Sequence, residues 1–179
     1  MIKNSKLILL LAAILLVSLV FTGCKWGKKD PVDTDNNNQG VLTPDYPLPP
    51  VDPGAEDIVG DQDTEKLESE NGGGAVGLIY MVTADLNLST GKITFLFGNP
   101  TRSNQNMVLS IVVQDTIIAR SGLLEPGKQV TKLDISEEAR TKITQAGVYE
   151  GKFTIDNYNP LTGEKAIVDV QIPITITVK

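Results

Sequence analysis

The chain has 179 residues, room for one domain plus tails, with a formal net charge of -6, one cysteine and no histidine. Without histidine, histidine-dependent catalytic triads and histidine-containing metal centres are excluded, and a single cysteine excludes an intramolecular disulfide. Charge is segregated: residues 1–29 carry five lysines and no acid, residues 30–70 carry twelve acids against Lys66 alone, and residues 71–179 carry ten of each sign. The part most able to fold is therefore neutral and lacks the basic footprint that a nucleic acid requires.

In chain order, "MIKNSKLILLLAAILLVSLVFTGC" opens with Lys3 and Lys6, continues with an apolar run from Leu7 to Phe21, and ends on Thr22, Gly23 and Cys24. Fifteen residues of helix reach about 22 Å, short of the roughly 30 Å hydrocarbon layer, so a cleaved export signal over residues 1–23 is expected rather than a permanent span. "FTGC" resembles the lipobox of bacterial lipoproteins, departing from it at Phe21, where that family usually has leucine. The resemblance implies cleavage before Cys24 and a diacylglyceryl group on its sulfur, two acyl chains that anchor stably where one binds only marginally. It also implies an extracytoplasmic, lipid-anchored protein at the cell membrane, with Cys24 as the lipidation site. Lys25, Trp26, Lys28 and Lys29 suit the membrane interface.

Residues 24–74 read as a tether. They are rich in Pro, Asp, Asn, Glu and Gly and poor in residues that bury surface, the composition of a disordered acidic linker. As a flexible coil, about fifty residues reach about 40 Å, somewhat more where "YPLPPVDP" stiffens. "DTDNNNQG" does not complete a calcium loop: counted from Asp33, Asn38 stands where glycine is required, and counted from Asp35 the loop ends on Tyr46.

From Ala75 the texture changes to alternating apolar and polar residues rich in Val, Ile and Thr, punctuated by turns every eight to twelve positions. Strands are predicted at Val76–Leu88, Lys92–Gly98, Met107–Val113, Thr116–Arg120, Gln129–Ile135, Val148–Asp156 and Lys165–Lys179. Seven strands in residues 75–179 predict an all-β, immunoglobulin-like antiparallel β-sandwich with one short helix. Pro173 donates no ladder bond, so its strand is expected at an edge or a bulge. "STGK" (Ser89–Lys92) is a tight turn, and "EPGK" (Glu125–Lys128) fits a type II turn with Gly127 at positive φ. "SEEARTKITQAG" predicts a helix crossing between the sheets, N-capped by Ser136, with Glu137 and Glu138 in its first turn and Gly147 beyond its end.

"AGVYEG" (Ala146–Gly151) resembles the tyrosine corner of immunoglobulin-like folds, with Tyr149 near the start of the penultimate strand and Gly151 where antibody domains carry a cysteine. Across residues 93–179, "FGNP", "SGLLEPG", "AGVYEG" and the last alternating strand resemble small β-sandwich domains of uncharacterised Gram-positive surface lipoproteins. That resemblance implies a fold and no activity.

The residues point away from catalysis. Glu137 and Glu138 are adjacent on a helix, so their carboxylates diverge, and "NGGGAVG" runs into a strand where a phosphate loop needs a helix. No enzyme activity, cofactor or metal is expected. Tyr80, Phe95, Phe97, Tyr149 and Phe153 take core-compatible strand positions, leaving Tyr158 in a loop. "GNPTRSNQN" and "DNYNPLTGEK" fall at the same end of such a sandwich, where binding sites are often built. Arg102, Asn104, Tyr158 and Asn159 are thus the candidate partner-binding residues. The expected function is a membrane-anchored module that binds or assembles with an extracellular or envelope protein. Its alternatives are a structural spacer without a specific ligand and a carboxylate-based envelope enzyme.

Overall fold

A computed structural model describes residues 46–69, 73–167 and 169–179. The expected export signal and the expected lipidation site Cys24 lie outside the described residues. Nine strands and one helix follow in order: β1 Glu56–Asp57, β2 Ile79–Tyr80, β3 Thr83–Asn87, β4 Lys92–Asn99, β5 Asn106–Val113, β6 Thr116–Leu124, β7 Lys128–Asp134, α1 Glu137–Lys142, β8 Gly147–Tyr158 and β9 Val170–Val178. Seven of these are five residues or longer, and they correspond to the seven predicted strands. The eight main strands hydrogen-bond in the order β1-β7-β4-β3-β9-β8-β5-β6, with β2 on β4.

That continuous ladder is folded into two faces. Phe153 on β8 packs against Phe95 and Phe97 on β4, with ring centroids 5.8 and 5.9 Å apart, although β4 and β8 are not neighbours in the ladder. The rings therefore meet across the core, with β3, β4 and β7 on one side and β5, β6, β8 and β9 on the other. First, second and fifth long strands against third, fourth, sixth and seventh is an immunoglobulin-type arrangement. All pairings between named strands are antiparallel except β3 with β9, which run parallel at Thr83–Leu86 and Thr175–Val178. Because β3 bonds β4 on its other side, it closes one seam of the sandwich.

Alternation along the strands accounts for the core. Ile93, Phe95 and Phe97 of β4, Phe153 and Ile155 of β8, and Ile174, Ile176 and Val178 of β9 are buried in one cluster. Burying such side chains stabilises by about 1.5–3 kcal/mol each before ordering entropy is charged against it. The helix is capped as its sequence predicts: the Ser136 hydroxyl accepts from the Ala139 amide at 3.1 Å. It ends at Lys142, earlier than the expected glycine, and inserts Ala139 into the core. Gly127 takes φ +89°, and the Lys128 amide donates to the Glu125 carbonyl at 3.1 Å, closing the "EPGK" turn. Tyr149 forms the predicted corner, its hydroxyl donating to the Gln145 carbonyl at 3.0 Å.

The second seam is closed by residues that the sequence reading assigns to the tether. Residues 46–69 wrap the rim of the sandwich as a belt. The Asp52 amide donates to the Leu123 carbonyl at 3.0 Å, and the Leu123 amide to the Pro50 carbonyl at 2.8 Å, joining the belt to β6. Four residues on, β1 pairs with β7 at Glu56↔Gln129 and Asp57↔Lys128. One short segment thus pairs with the β6 edge of one sheet and the β7 edge of the other. The folded unit begins upstream of Ala75, and the expected boundary falls within it. The reason is backbone pairing, which a proline-rich segment can supply at sheet edges without any apolar periodicity.

Candidate binding surfaces

The loop end carries the four predicted contact residues, and the belt crosses it. Asp61 accepts from the Thr101 amide at 2.7 Å and the Thr101 hydroxyl at 2.8 Å. These bonds hold the Asp61 carboxyl below its usual range. Lys66 Nζ donates to the carbonyls of Thr101 and Ser103 at 2.6 and 3.1 Å, and the Leu67 amide donates to the Arg102 carbonyl at 2.6 Å.

Asn104 is part of this fastening. Its Oδ1 accepts from the Ala75 amide at 2.8 Å and its Nδ2 donates to the Leu67 carbonyl at 3.0 Å. Asn159 plays the same role in the β8–β9 loop, its Oδ1 accepting from the amides of Leu161 and Thr162 at 2.9 and 3.2 Å. Both amides therefore hold backbone, as asparagine commonly does in turns. Arg102 is exposed and Tyr158 half-buried. The two loops do meet at one end, since Asn106 at the start of β5 is in register with Tyr158 at the end of β8.

The β8–β9 loop is further fixed by charge. Asp156, nearly buried, accepts from Arg120 Nη2 and Lys165 Nζ, each at 2.9 Å, and Lys165 also reaches Asp169 at 3.5 Å. The bond to Asp156 raises the Lys165 ammonium above its usual value. Glu137 and Glu138 turn to different partners, Arg140 at 3.6 Å and Lys142 at 2.9 Å. Their carboxylates share no site.

A second surface lies along the β2–β3 edge. Of the five aromatics expected in the core, Phe95, Phe97 and Phe153 are buried and Tyr149 packs against them, but Tyr80 is 41% exposed. The predicted strand Val76–Leu88 is broken: β2 pairs only with β4, and contact with β9 begins where the Thr175 amide donates to the Val82 carbonyl at 2.8 Å. Upstream of that bond β9 does not pair with the chain among the described residues, and Met81 and Val82 are also exposed, at 51% and 56%. Beside them, among the described residues, Val170–Ile174 of β9 pairs with β8 on one side only. Pro173 sits in that open half, as its missing N–H requires. Three consecutive exposed apolar side chains beside an open strand edge form the kind of patch that marks an interaction site. Sequence alternation missed it because Tyr80 satisfies the strand period; only the end of the β9 pairing shows which face is uncovered.

No family model matches the chain, and no curated protein matches it. Among solved structures it is similar to AggA, the major subunit of aggregative adherence fimbriae type I from Escherichia coli, with 9% identity and a TM-score of 0.31, over 64% of this chain and 99% of that one. It is similar to the periplasmic chaperone SfaE at 7% identity and a TM-score of 0.36, over 57% of this chain and 56% of that one. It is also similar to the CsuC–CsuE chaperone–tip adhesion subunit pre-assembly complex of Acinetobacter baumannii archaic chaperone-usher Csu pili, at 6% identity and a TM-score of 0.31, over 58% and 56%. The chain spans just over half of the last two. At such scores these likenesses assign no function.

Proposed function

We propose that this protein is a lipid-anchored module of the extracytoplasmic membrane face whose β-sandwich binds or assembles with an extracellular or envelope protein. The anchor rests on the "FTGC" signal and Cys24. The observation that carries the binding role is the exposed Tyr80–Met81–Val82 run beside the open half of β9. An extended segment of a partner adds main-chain bonds at such an edge and sets alternate side chains against the apolar run. In step with the Thr175 amide that bonds Val82, the backbone groups facing the open edge are those of Gln171 and Pro173, and Pro173 offers no donor there, which limits promiscuous edge-to-edge association.

Crosslinking and pull-down from intact cells tests the reading, comparing wild type with Met81→Asp, Arg102→Ala and Tyr158→Ala. Loss of one partner with Met81→Asp alone supports the edge. Loss with Arg102→Ala or Tyr158→Ala moves the site to the loop end, and equal recovery in all four proteins refutes a specific partner and leaves a spacer. For the anchor, Cys24→Ser abolishes membrane retention and lipid labelling while leaving the domain's unfolding unchanged.

A further inference from the structure

Two rails border the opening in the ladder: the chain from Gly77 to Val82 on one side and Val170–Ile174 of β9 on the other. Leu78, Val170 and Ile172 pack against the core from these rails yet stay half-buried. An occupant of the opening therefore needs apolar side chains at alternate positions, as an extended segment presents them.

The two ends of the opening differ in charge. Where Thr175 bonds Val82 the charges cancel: Asp85 is paired with Lys179 at 2.6 Å, and Glu150 and Lys152 stand in register with Thr175 and Pro173 of β9. The loop end is acidic on both sides. On the β2 side the Gly77 amide donates to Ser103 Oγ at 2.9 Å, and a Cβ on Gly77 would meet the Arg102 Cγ at 3.7 Å. This brings the belt alongside, because Arg102 lines a cavity of about 480 Å³ together with Asp63, Glu65, Lys66, Leu67 and Glu68. Tyr80 is three residues from Gly77, about 10 Å along an extended chain. On the β9 side exposed Asp169 directly precedes Val170, and exposed Glu164 lies in the same loop. Lys66 is engaged by the carbonyls of Thr101 and Ser103, and Lys165 by Asp156 and Asp169. Among the described residues, Asp63, Glu65, Glu68 and Glu164 have no lysine or arginine within ion-pair distance. Among the same residues, no three carboxylates converge as a metal ion requires.

Acidity spread out beside an apolar strand edge suits a row of basic side chains. We infer that the segment taken by this edge is extended, apolar at alternate positions over Tyr80–Val82, and continued at the loop end by lysines or arginines that meet the belt. The inference rests on the binding edge of the proposed function and adds the chemistry of its occupant. The apolar run holds the segment, and the acidic end sets which way it lies and which segments are refused. The belt then has two roles, pairing with β6 and β7 and supplying the charge that selects the partner.

The test uses the full-length protein purified in a nonionic detergent and three fluorescent peptides that share a core of alternating valine and threonine. One carries three lysines before the core, one carries them after it, and one carries glutamates at both ends. Anisotropy follows their binding to wild type, to Met81→Asp, and to Glu65→Gln with Glu68→Gln, a pair that leaves the belt's bonds from Lys66 and Asn104 in place. One lysine peptide is expected to bind about five-fold or more tightly than the glutamate peptide. That preference is expected to fall in the Glu65→Gln, Glu68→Gln protein and at high salt, and Met81→Asp to abolish binding. Equal affinity of lysine and glutamate peptides, or a preference unchanged by the two glutamine substitutions, overturns the basic segment; if Met81→Asp still abolishes binding, the edge stands. A lysine peptide that binds Met81→Asp as tightly as wild type overturns the inference by placing binding on the acidic surface alone. Absence of binding by every peptide overturns it as well, and the pull-down with Met81→Asp then judges the edge by itself.

Discussion

Replacing Gly122 with alanine separates a docked belt from a loose tether by the sign of its effect. In an exposed β-strand this change is mildly favourable, about 0.5–1 kcal/mol, because glycine loses more backbone freedom on folding than alanine. Here the added Cβ would stand 2.6 Å from both the Asp52 Cα and the Asp52 nitrogen, and 2.8 Å from the Pro50 carbonyl oxygen. These are backbone atoms, so the belt has to move. Three bonds depend on its position: Asp52 N–H to Leu123, Leu123 N–H to Pro50, and the Gly122 amide to Asp52 Oδ2 at 2.7 Å. Two neutral bonds at about 1 kcal/mol each and one to a carboxylate at about 1.5–3 give roughly 3.5–5 kcal/mol. Freeing three residues returns about 1 kcal/mol apiece in conformational entropy. The net expectation is a loss of about 0.5–2 kcal/mol, read as a lower denaturation midpoint in urea for the chain from residue 24 carrying Cys24→Ser. Stability equal to wild type, or higher, would refute the belt.

Acidification tests the next fastening. The Asp61 carboxyl is held below its usual value of 3.8 by its two bonds from Thr101, so its contribution is complete above that value and disappears as pH falls through the lower folded-state value. Exchange of the Thr101 amide should therefore gain protection on raising pH from strongly acidic conditions, beyond the intrinsic trend, and Asp61→Asn should flatten that gain. Tyr149→Phe removes the bond to the Gln145 carbonyl and should cost about 0.5–1.5 kcal/mol in the same urea assay; no change would mean that the corner is not formed. The β5–β6 turn places Gln114 at φ +45° and Asp115 at φ +59°, a two-residue hairpin with neither asparagine nor glycine. Changing the pair to Asn-Gly should raise stability by about 1 kcal/mol, since asparagine at 114 and glycine at 115 occupy the left-handed region at less cost than glutamine and aspartate.

What the sequence discloses follows from which forces act locally. Strand alternation from Lys92 to Val178, the "EPGK" turn, the Ser136 cap and the Tyr149 corner are legible because each depends on residues within a turn or two of one another. The belt is not, because its prolines and aspartates have the composition of a linker and its stability comes from distant partners. One signal did point to it: Gly122, within a strand in "RSGLL", marks a place where another backbone comes close. Asn104 and Asn159 illustrate the opposite ambiguity. An asparagine-rich loop suggests outward contacts, yet both amides turn inward to hold backbone, and composition does not distinguish the two. Tyr80 fits the strand period but lies where β9 has not yet joined, so its exposure is a property of the ladder and not of its neighbours in sequence.

The most direct measurement places a photo-crosslinking residue at position 81 of the anchored protein on intact cells, with the same residue at position 148 for comparison. The proposed edge predicts one discrete protein adduct from position 81 that is lost when Val82→Asp is added, and none from position 148. No adduct at 81, or the same adducts from both positions, would contradict a binding edge.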